Sequence, residues 1–340
     1  MVFYSGFGSA SSHKGLVMTL NYKNSLWVGR ITLLTSLSTL LLLCAGALVT
    51  GTGSGLAVPD WPLSFGQFFP PMVGGVLYEH GHRLIAGYVA LLTMLQCVFI
   101  FKWESRAWVK KLSVLAVALV LTQALLGGLT VLFQLPKAIS IAHACLGQTY
   151  FCNSVVLAMV TSQLWGKKLQ ASPDHSAFPI RWLALLVVVG FFIQLLLGAT
   201  MRHFGSGLAI PDFPLSFGRW IPASWTFPVA IHFAHRAGAF VMVTLVAALV
   251  ARVYRLYWNQ FVLLLYAGAL MGFVWMQIML GAMIIWLRRP LALTTIHLAV
   301  GALCLASSVT LAIQLFRAQR EAVPENDPRL KELDLRTAKV

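Results

Sequence analysis

The sequence predicts an all-α integral membrane protein of eight transmembrane helices, built as two tandem four-helix bundles that are parallel repeats of one another. Three observations predict this. Hydrophobic residues make up 59% of the chain and charged residues only 10%, which leaves too little polar surface to cover a water-soluble domain. Apolar runs of about 20 residues recur, each long enough to cross a bilayer. The segment 53–66, GSGLAVPDWPLSFG, returns at 205–218 as GSGLAIPDFPLSFG, with twelve of fourteen positions identical at an offset of 152 residues. Self-similarity at that level marks an internal duplication.

Residues 1–26 are polar and mixed and contain no short apolar run ahead of an A-x-A site, so no cleavable signal is expected. They read as a flexible cytoplasmic lead to the first span, 27–50. The loop that follows, up to Tyr78, holds Pro59, Pro62, Pro70 and Pro71, which forbid a continuous regular element. Its Trp61, Phe65, Phe68 and Phe69 suit a membrane interface, and it reads as a lid on the outer surface. Glu79 to Arg83 then opens the second span, 80–101. The third, 112–133, carries Gln123 and the small pair Gly127 and Gly128, which permit close helix approach. The fourth, 138–163, has His143 in its first turns. A polar linker, 166–179, joins residues 1–165 to residues 166–340.

The second copy follows the same plan with spans at 181–201, 228–250, 260–286 and 290–316. Gly198 matches Gly46, His235 matches His82, Gln277 matches Gln123, and His297 matches His143. An even number of spans per copy inserts both halves the same way up, as parallel repeats about an axis along the membrane normal. The charged tail from Arg317 is assigned no chemistry. Cys44, Cys97, Cys145, Cys152 and Cys304 all fall within spans and read as small packing residues.

A net charge of +15 would suggest nucleic acid as the partner of a soluble protein. Here its distribution reports topology. Eighteen of the Lys and Arg residues lie at one set of span ends. Only seven (Arg83, Lys137, Arg202, Arg219, Arg236, Arg288 and Arg289) lie at the other. The positive-inside rule then places both termini in the cytoplasm, and nucleic-acid binding is unnecessary.

Ionisable groups inside membrane spans are costly and usually functional. His82, His143, His235 and His297 each sit near the outer end of an even-numbered span, so they share a depth. In each half the two histidines come from different helices, an arrangement suited to axial ligation of a haem iron from both sides of the macrocycle. Zinc or copper sites usually gather three or more ligands in one place. His80 and His203 sit at the water boundary and read as solvated; His13 and His175 fall in polar segments. Glu79 stands one turn before His82, whereas His232 occupies the matching place before His235. A carboxylate beside only one site suggests different jobs for the two, and it can relay protons or stabilise positive charge. Arg83 and Arg236 adjoin the ligands and are candidates for haem propionate contacts or for snorkelling to the interface.

The E-x-x-H-R motif at Glu79–Arg83, the Gly-rich loop with its Asp60-Trp61-Pro62 core, the Q-x-x-L-G turn at 123–127 and the repetition of these elements resemble the haem A synthase family across about residues 27–316. The resemblance implies an oxidoreductase of the bacterial inner membrane that oxidises the ring-D methyl of haem O to a formyl group by successive hydroxylations. The haem A it makes serves cytochrome oxidase assembly. It further implies that His82 and His143 flank the substrate haem, that His235 and His297 hold a haem b cofactor, and that Glu79 is the catalytic carboxylate. A farnesyltransferase supplying haem O, an electron donor and membrane lipid would be its partners, and a homo-oligomer is left open. Many bacterial members carry two loop cysteines where this chain has Val58 and Ser64, so no redox-active loop disulfide is expected. A di-haem b electron-transfer protein of quinol-oxidase type, in which neither haem is modified, is the alternative; it would not require the Glu79/His232 difference. A repeat-built transporter is a further rival, but such proteins place their binding groups near the midplane.

Overall fold

The computed structural model describes residues 10–166, 169, 174 and 176–320. Expectations for residues 1–9, Lys167, Lys168, His175 and 321–340 lie outside it. Eight helices follow one another: α1 (Ala10–Gly51), α2 (Gly75–Trp103), α3 (Ala107–Leu132), α4 (Lys137–Thr161), α5 (Ile180–His203), α6 (Phe227–Tyr257), α7 (Phe261–Trp286) and α8 (Leu291–Arg320). Each contains a stretch long and apolar enough to cross a membrane, which makes the chain a multi-pass membrane protein.

Proline sets several of the starts. Pro136 and Pro179 precede α4 and α5, and Pro228 stands in the first turn of α6, where its missing N–H has no intrahelical partner to lose. Three boundaries depart from the sequence reading. Residues 10–25 continue α1 instead of forming a separate lead; the segment contains no proline to stop the backbone ladder. Helix α2 begins at Gly75, so Glu79 lies in its second turn and not at its opening. Arg317 belongs to α8, where its Nη1 donates to the Trp165 carbonyl at 2.6 Å.

Within each half the helices close a ring. Helix α1 packs on α2, α2 on α3, α3 on α4 and α4 on α1; α5 to α8 repeat the cycle. The histidine-bearing helices therefore stand diagonally, α2 opposite α4 and α6 opposite α8. The two rings meet through α1, α4, α5 and α8. Burial agrees for three of these four: 44% of the span of α1, 61% of that of α4 and 50% of that of α8 are buried, whereas α5, at 22%, is as exposed as α2, α3, α6 and α7 at 17–22%. The outer helices therefore show apolar side chains such as Leu91, Leu121 and Trp275 to the surroundings, and the exposed face of α5 does the same with Ile193, the pattern required where the solvent is lipid. The whole arrangement is consistent with a tandem repeat.

Candidate functional site

The four histidines are seated by one device used four times. The Cε1 of each ring lies over a glycine of the preceding helix. A Cβ built on Gly46 would stand 3.1 Å from His82 Cε1, on Gly127 3.2 Å from His143, on Gly198 3.0 Å from His235, and on Gly281 3.5 Å from His297. In all four rings Nδ1 is sealed from solvent and the ring meets a backbone group of the preceding helix, that of Leu42, Gln123, Gln194 and Gln277 in turn, while the residue as a whole is only half-buried. The accessible part of each imidazole is thus its Nε2 and Cδ2 edge. Within each half the two rings are close enough to interact electrostatically. Two imidazoles on diagonal helices of an apolar ring, with the Gln123 amide 3.5 Å from His143 Nε2, fit an iron porphyrin that they would hold from both faces. Among the described residues no cluster of three His, Cys, Asp or Glu offers an alternative metal site.

Gln123 Nε2 donates to the His143 carbonyl at 2.9 Å, and Gln194 Nε2 donates to the His235 carbonyl at 2.6 Å. These amides pin the backbone from which the ligand projects. Gln194 escaped the sequence reading because its counterpart in the first half is Leu42; its place four residues before Gly198, as Gln123 stands before Gly127, was the available signal.

The Gly-rich loops fold back over the histidine end of each ring. Asp60 accepts from the N–H groups of Phe65 and Gly66 at 2.7 and 2.8 Å, and Asp212 does the same with Phe217 and Gly218 at 2.7 Å each. The backbone there turns through positive φ at Phe65, Gly66, Phe217 and Gly218, and the carboxylate closes the loop by accepting both N–H groups from five and six residues on. The N–H of Gly66, then that of Phe65, holds the Asp60 carboxyl below its usual range. Gly218 leads in doing so for Asp212.

Each loop is then latched to its helix. In the first copy Glu79, 4% exposed, accepts the Val58 N–H on Oε2 at 2.8 Å and Arg83 Nη2 on Oε1 at 2.6 Å. Arg83 also donates to the carbonyls of Val58, Asp60 and Leu63. In the second copy Arg236 donates to the carbonyls of Ile210 and Leu215 and, through Nε, to His232 Nε2 at 3.1 Å. The Ile210 N–H points at His232 Nδ1 at 3.2 Å. A neutral imidazole has a single acceptor nitrogen, so only one of those two approaches is a full hydrogen bond. Glu79 makes both. The two arginines considered as propionate contacts thus direct their guanidinium donors into the loops.

His80 departs from its reading as a solvated residue. It is 5% exposed, and its Nδ1 lies 2.8 Å from Ser64 Oγ, because α2 starts early enough to carry position 80 under the folded loop. Val58 and Ser64 are therefore two of the points at which this loop is tied down. His203, at the end of α5, is half-buried and faces His143 closely enough to interact with it.

Below the histidines the two interiors differ. Helices α2 and α4 meet through Thr93 and Tyr150, and Thr39, Gln96 and Ser113 are also fully buried. Both polar atoms of Gln96 lack partners. The matching residues of the second half are Phe191, Val246, Leu249, Ala267 and Cys304, an apolar floor. A compensating difference seats the loops. Trp61 lies on Gly128, where a Cβ would come within 2.6 Å of the indole; the counterparts in the second copy are the smaller Phe213 and the larger Ala282. Gly128→Ala is expected to lower stability by about 1–3 kcal/mol through overpacking. Trp61→Phe in the same chain is expected to recover most of that loss, as a double-mutant cycle by thermal unfolding would read.

Fold and site together define a class: a multi-pass membrane protein of two ring-like helix bundles, each presenting a facing pair of imidazoles beneath a latched loop. Comparison with known proteins narrows the class. Residues 72–309 match the model of the COX15-CtaA family, described as cytochrome oxidase assembly protein, and the chain belongs to that family. It is 31% identical over 224 residues to the haem A synthase of Shouchella clausii, covering 65% of this chain and 74% of that protein. It is 28% identical over 277 residues to the haem A synthase of Bacillus cereus strain ATCC 14579, covering 78% and 86%.

Proposed function

We propose that this protein is an oxidoreductase of haem A biosynthesis that converts the ring-D methyl of haem O to a formyl group by successive hydroxylation. The observation that carries the reading is a break in charge between the two copies of the site: Glu79 beside His82 in the first half, His232 beside His235 in the second. The first half takes the substrate haem between His82 and His143. The second holds haem b between His235 and His297, and a bound haem b supplies one-electron transfer.

The chain's own residues do four things in this scheme. The glycine notches and glutamine amides fix the imidazoles. The loop, latched through Glu79 and Arg83, covers the histidine end and keeps bulk water from the reacting methyl. Both Glu79 oxygens already accept N–H donors, which suits a fixed negative charge stabilising positive charge on the substrate better than a carboxyl that must swing to carry protons. The buried hydroxyls and amide of Thr39, Thr93, Tyr150 and Gln96 give the first half a polar floor for proton movement where the second has Phe191, Val246, Cys304 and Leu249. Arg83 and Arg236 act on the loops, and propionate contact is secondary for both. The protein sits in the bacterial inner membrane with both termini in the cytoplasm, receives haem O from a farnesyltransferase, takes electrons from a donor and feeds cytochrome oxidase assembly.

Mass analysis of the porphyrins that copurify from cells able to make haem O tests this directly. Haem O or A forms together with haem b are expected. An extract of haem b alone would support the di-haem electron carrier instead.

A further inference from the structure

The second half carries cations at its histidine end that the first half lacks. Arg202, Arg288 and Arg289 stand where the first half has Thr50, Gln134 and Leu135. The turn itself is shared, since positive φ occurs at 134 and 135 as at 288 and 289; only the side chains differ. Arg202 is half-buried at the end of α5, where its Nη2 donates to the Ala47 carbonyl at 2.7 Å and lies beside Gly51, on which Leu291 of α8 also packs. It lies close enough to Arg289 to feel its charge, and close enough to His297 to act on that ring. Among the described residues the ion pairs involve Arg83, Arg106 and Arg252, so none of these three cations meets a carboxylate. Like charges held together at a membrane boundary without a counter-ion raise the energy of the apo-protein, and an anion there would relieve it. The first half has Lys137 at this end, but its ammonium lies over the Phe204 ring at 4.3 Å.

We propose that Arg202 and Arg289 form a carboxylate-binding site that grips the propionate edge of the porphyrin seated between His235 and His297. The first half is left without an equivalent, so that its porphyrin can leave. His297 is six residues into α8, about 9 Å along the axis from its start, comparable to the reach from a porphyrin iron to its propionates. The proposal rests on the two-site reading given above. It adds a physical reason for one site to retain its porphyrin while the other exchanges it: charge-assisted hydrogen bonds are the strong ones.

The test uses full-length protein in nanodiscs, with Arg202→Gln, Arg289→Gln, the double variant and Arg202→Lys. Haem transfer to excess apomyoglobin is followed in the Soret band, and reconstitution is compared for protohaem and its dimethyl ester. The wild type should prefer the free acid to the diester by about tenfold or more. The double variant should lose that preference and release its slowly exchanging haem about tenfold faster, with Arg202→Lys intermediate. Unchanged diester binding in the variants would show that the pocket is still folded. An equal acid preference in the double variant, or no preference in the wild type, overturns the proposal. If His235→Ala leaves the slowly exchanging haem in place, the two-site reading itself has failed, and this inference with it.

Discussion

Replacing Glu79 with alanine is expected to leave both porphyrins bound and to cut formyl product by about two to four orders of magnitude, the range for loss of a positioned charge or proton carrier. That substitution alone is ambiguous, because Glu79 also accepts the Val58 N–H and the Arg83 guanidinium, and removing it frees the loop as well as the charge. The repeat provides the control. His232 occupies the same position in the second copy and still meets a loop N–H and the neighbouring arginine. Glu79→His should therefore keep the loop down, as hydrogen exchange over residues 58–66 would read, while failing to make haem A as completely as the alanine variant. Glu79→Gln keeps one acceptor oxygen without the charge and is expected to be similarly inactive. Normal haem A output from the histidine variant would place the chemistry elsewhere and reduce Glu79 to a latch.

That argument also separates what the sequence discloses from what only the folded chain does. The duplicated loop, the four matched histidines and the Glu79/His232 break are visible because the offset between copies drifts only from 152 to 154 residues, so each residue can be compared with its own counterpart. The roles of Arg83 and Arg236 were not visible. Their partners are carbonyls of Val58, Asp60, Leu63, Ile210 and Leu215, and backbone direction inside an irregular loop leaves no trace in side-chain identity. His80 was misplaced for a related reason: nothing in the sequence between Pro71 and Tyr78 fixes where α2 starts, and a start at Gly75 moves that ring from water to the interior. The polar floor of the first half could have been found, since Thr93, Gln96 and Tyr150 align with Val246, Leu249 and Cys304. Finding it required reading all the helices against their repeats, beyond the histidines alone.

The largest effect on porphyrin retention by residues that are not themselves ligands is expected at the glycine notches, and the repeat predicts its order. Alanine at any of them gains about 0.8–1 kcal/mol of helix propensity, so a loss must come from the ring it displaces. At Gly198, Gly46 and Gly127 the new Cβ would lie 3.0, 3.1 and 3.2 Å from a Cε1, closer than carbon atoms normally pack, and the imidazole must shift. Nδ1 lies on the same side, 3.5–3.8 Å from the added carbon, so the whole Cε1–Nδ1 edge of the ring must give way. Disturbing the orientation of a metal-binding imidazole typically costs about ten- to hundredfold in affinity, and that loss is expected in Gly46→Ala, Gly127→Ala and Gly198→Ala. At Gly281 the distance is 3.5 Å, an ordinary contact. Gly281→Ala should retain its haem and, keeping the propensity gain, melt no lower than the wild type. Haem content per chain and the low-spin Soret band of each purified variant, set beside its melting temperature, decide the matter. Equal losses in all four variants would mean general helix repacking and not seating of the rings. No loss in any of them would mean that the imidazoles have the freedom to move that their packing here denies them.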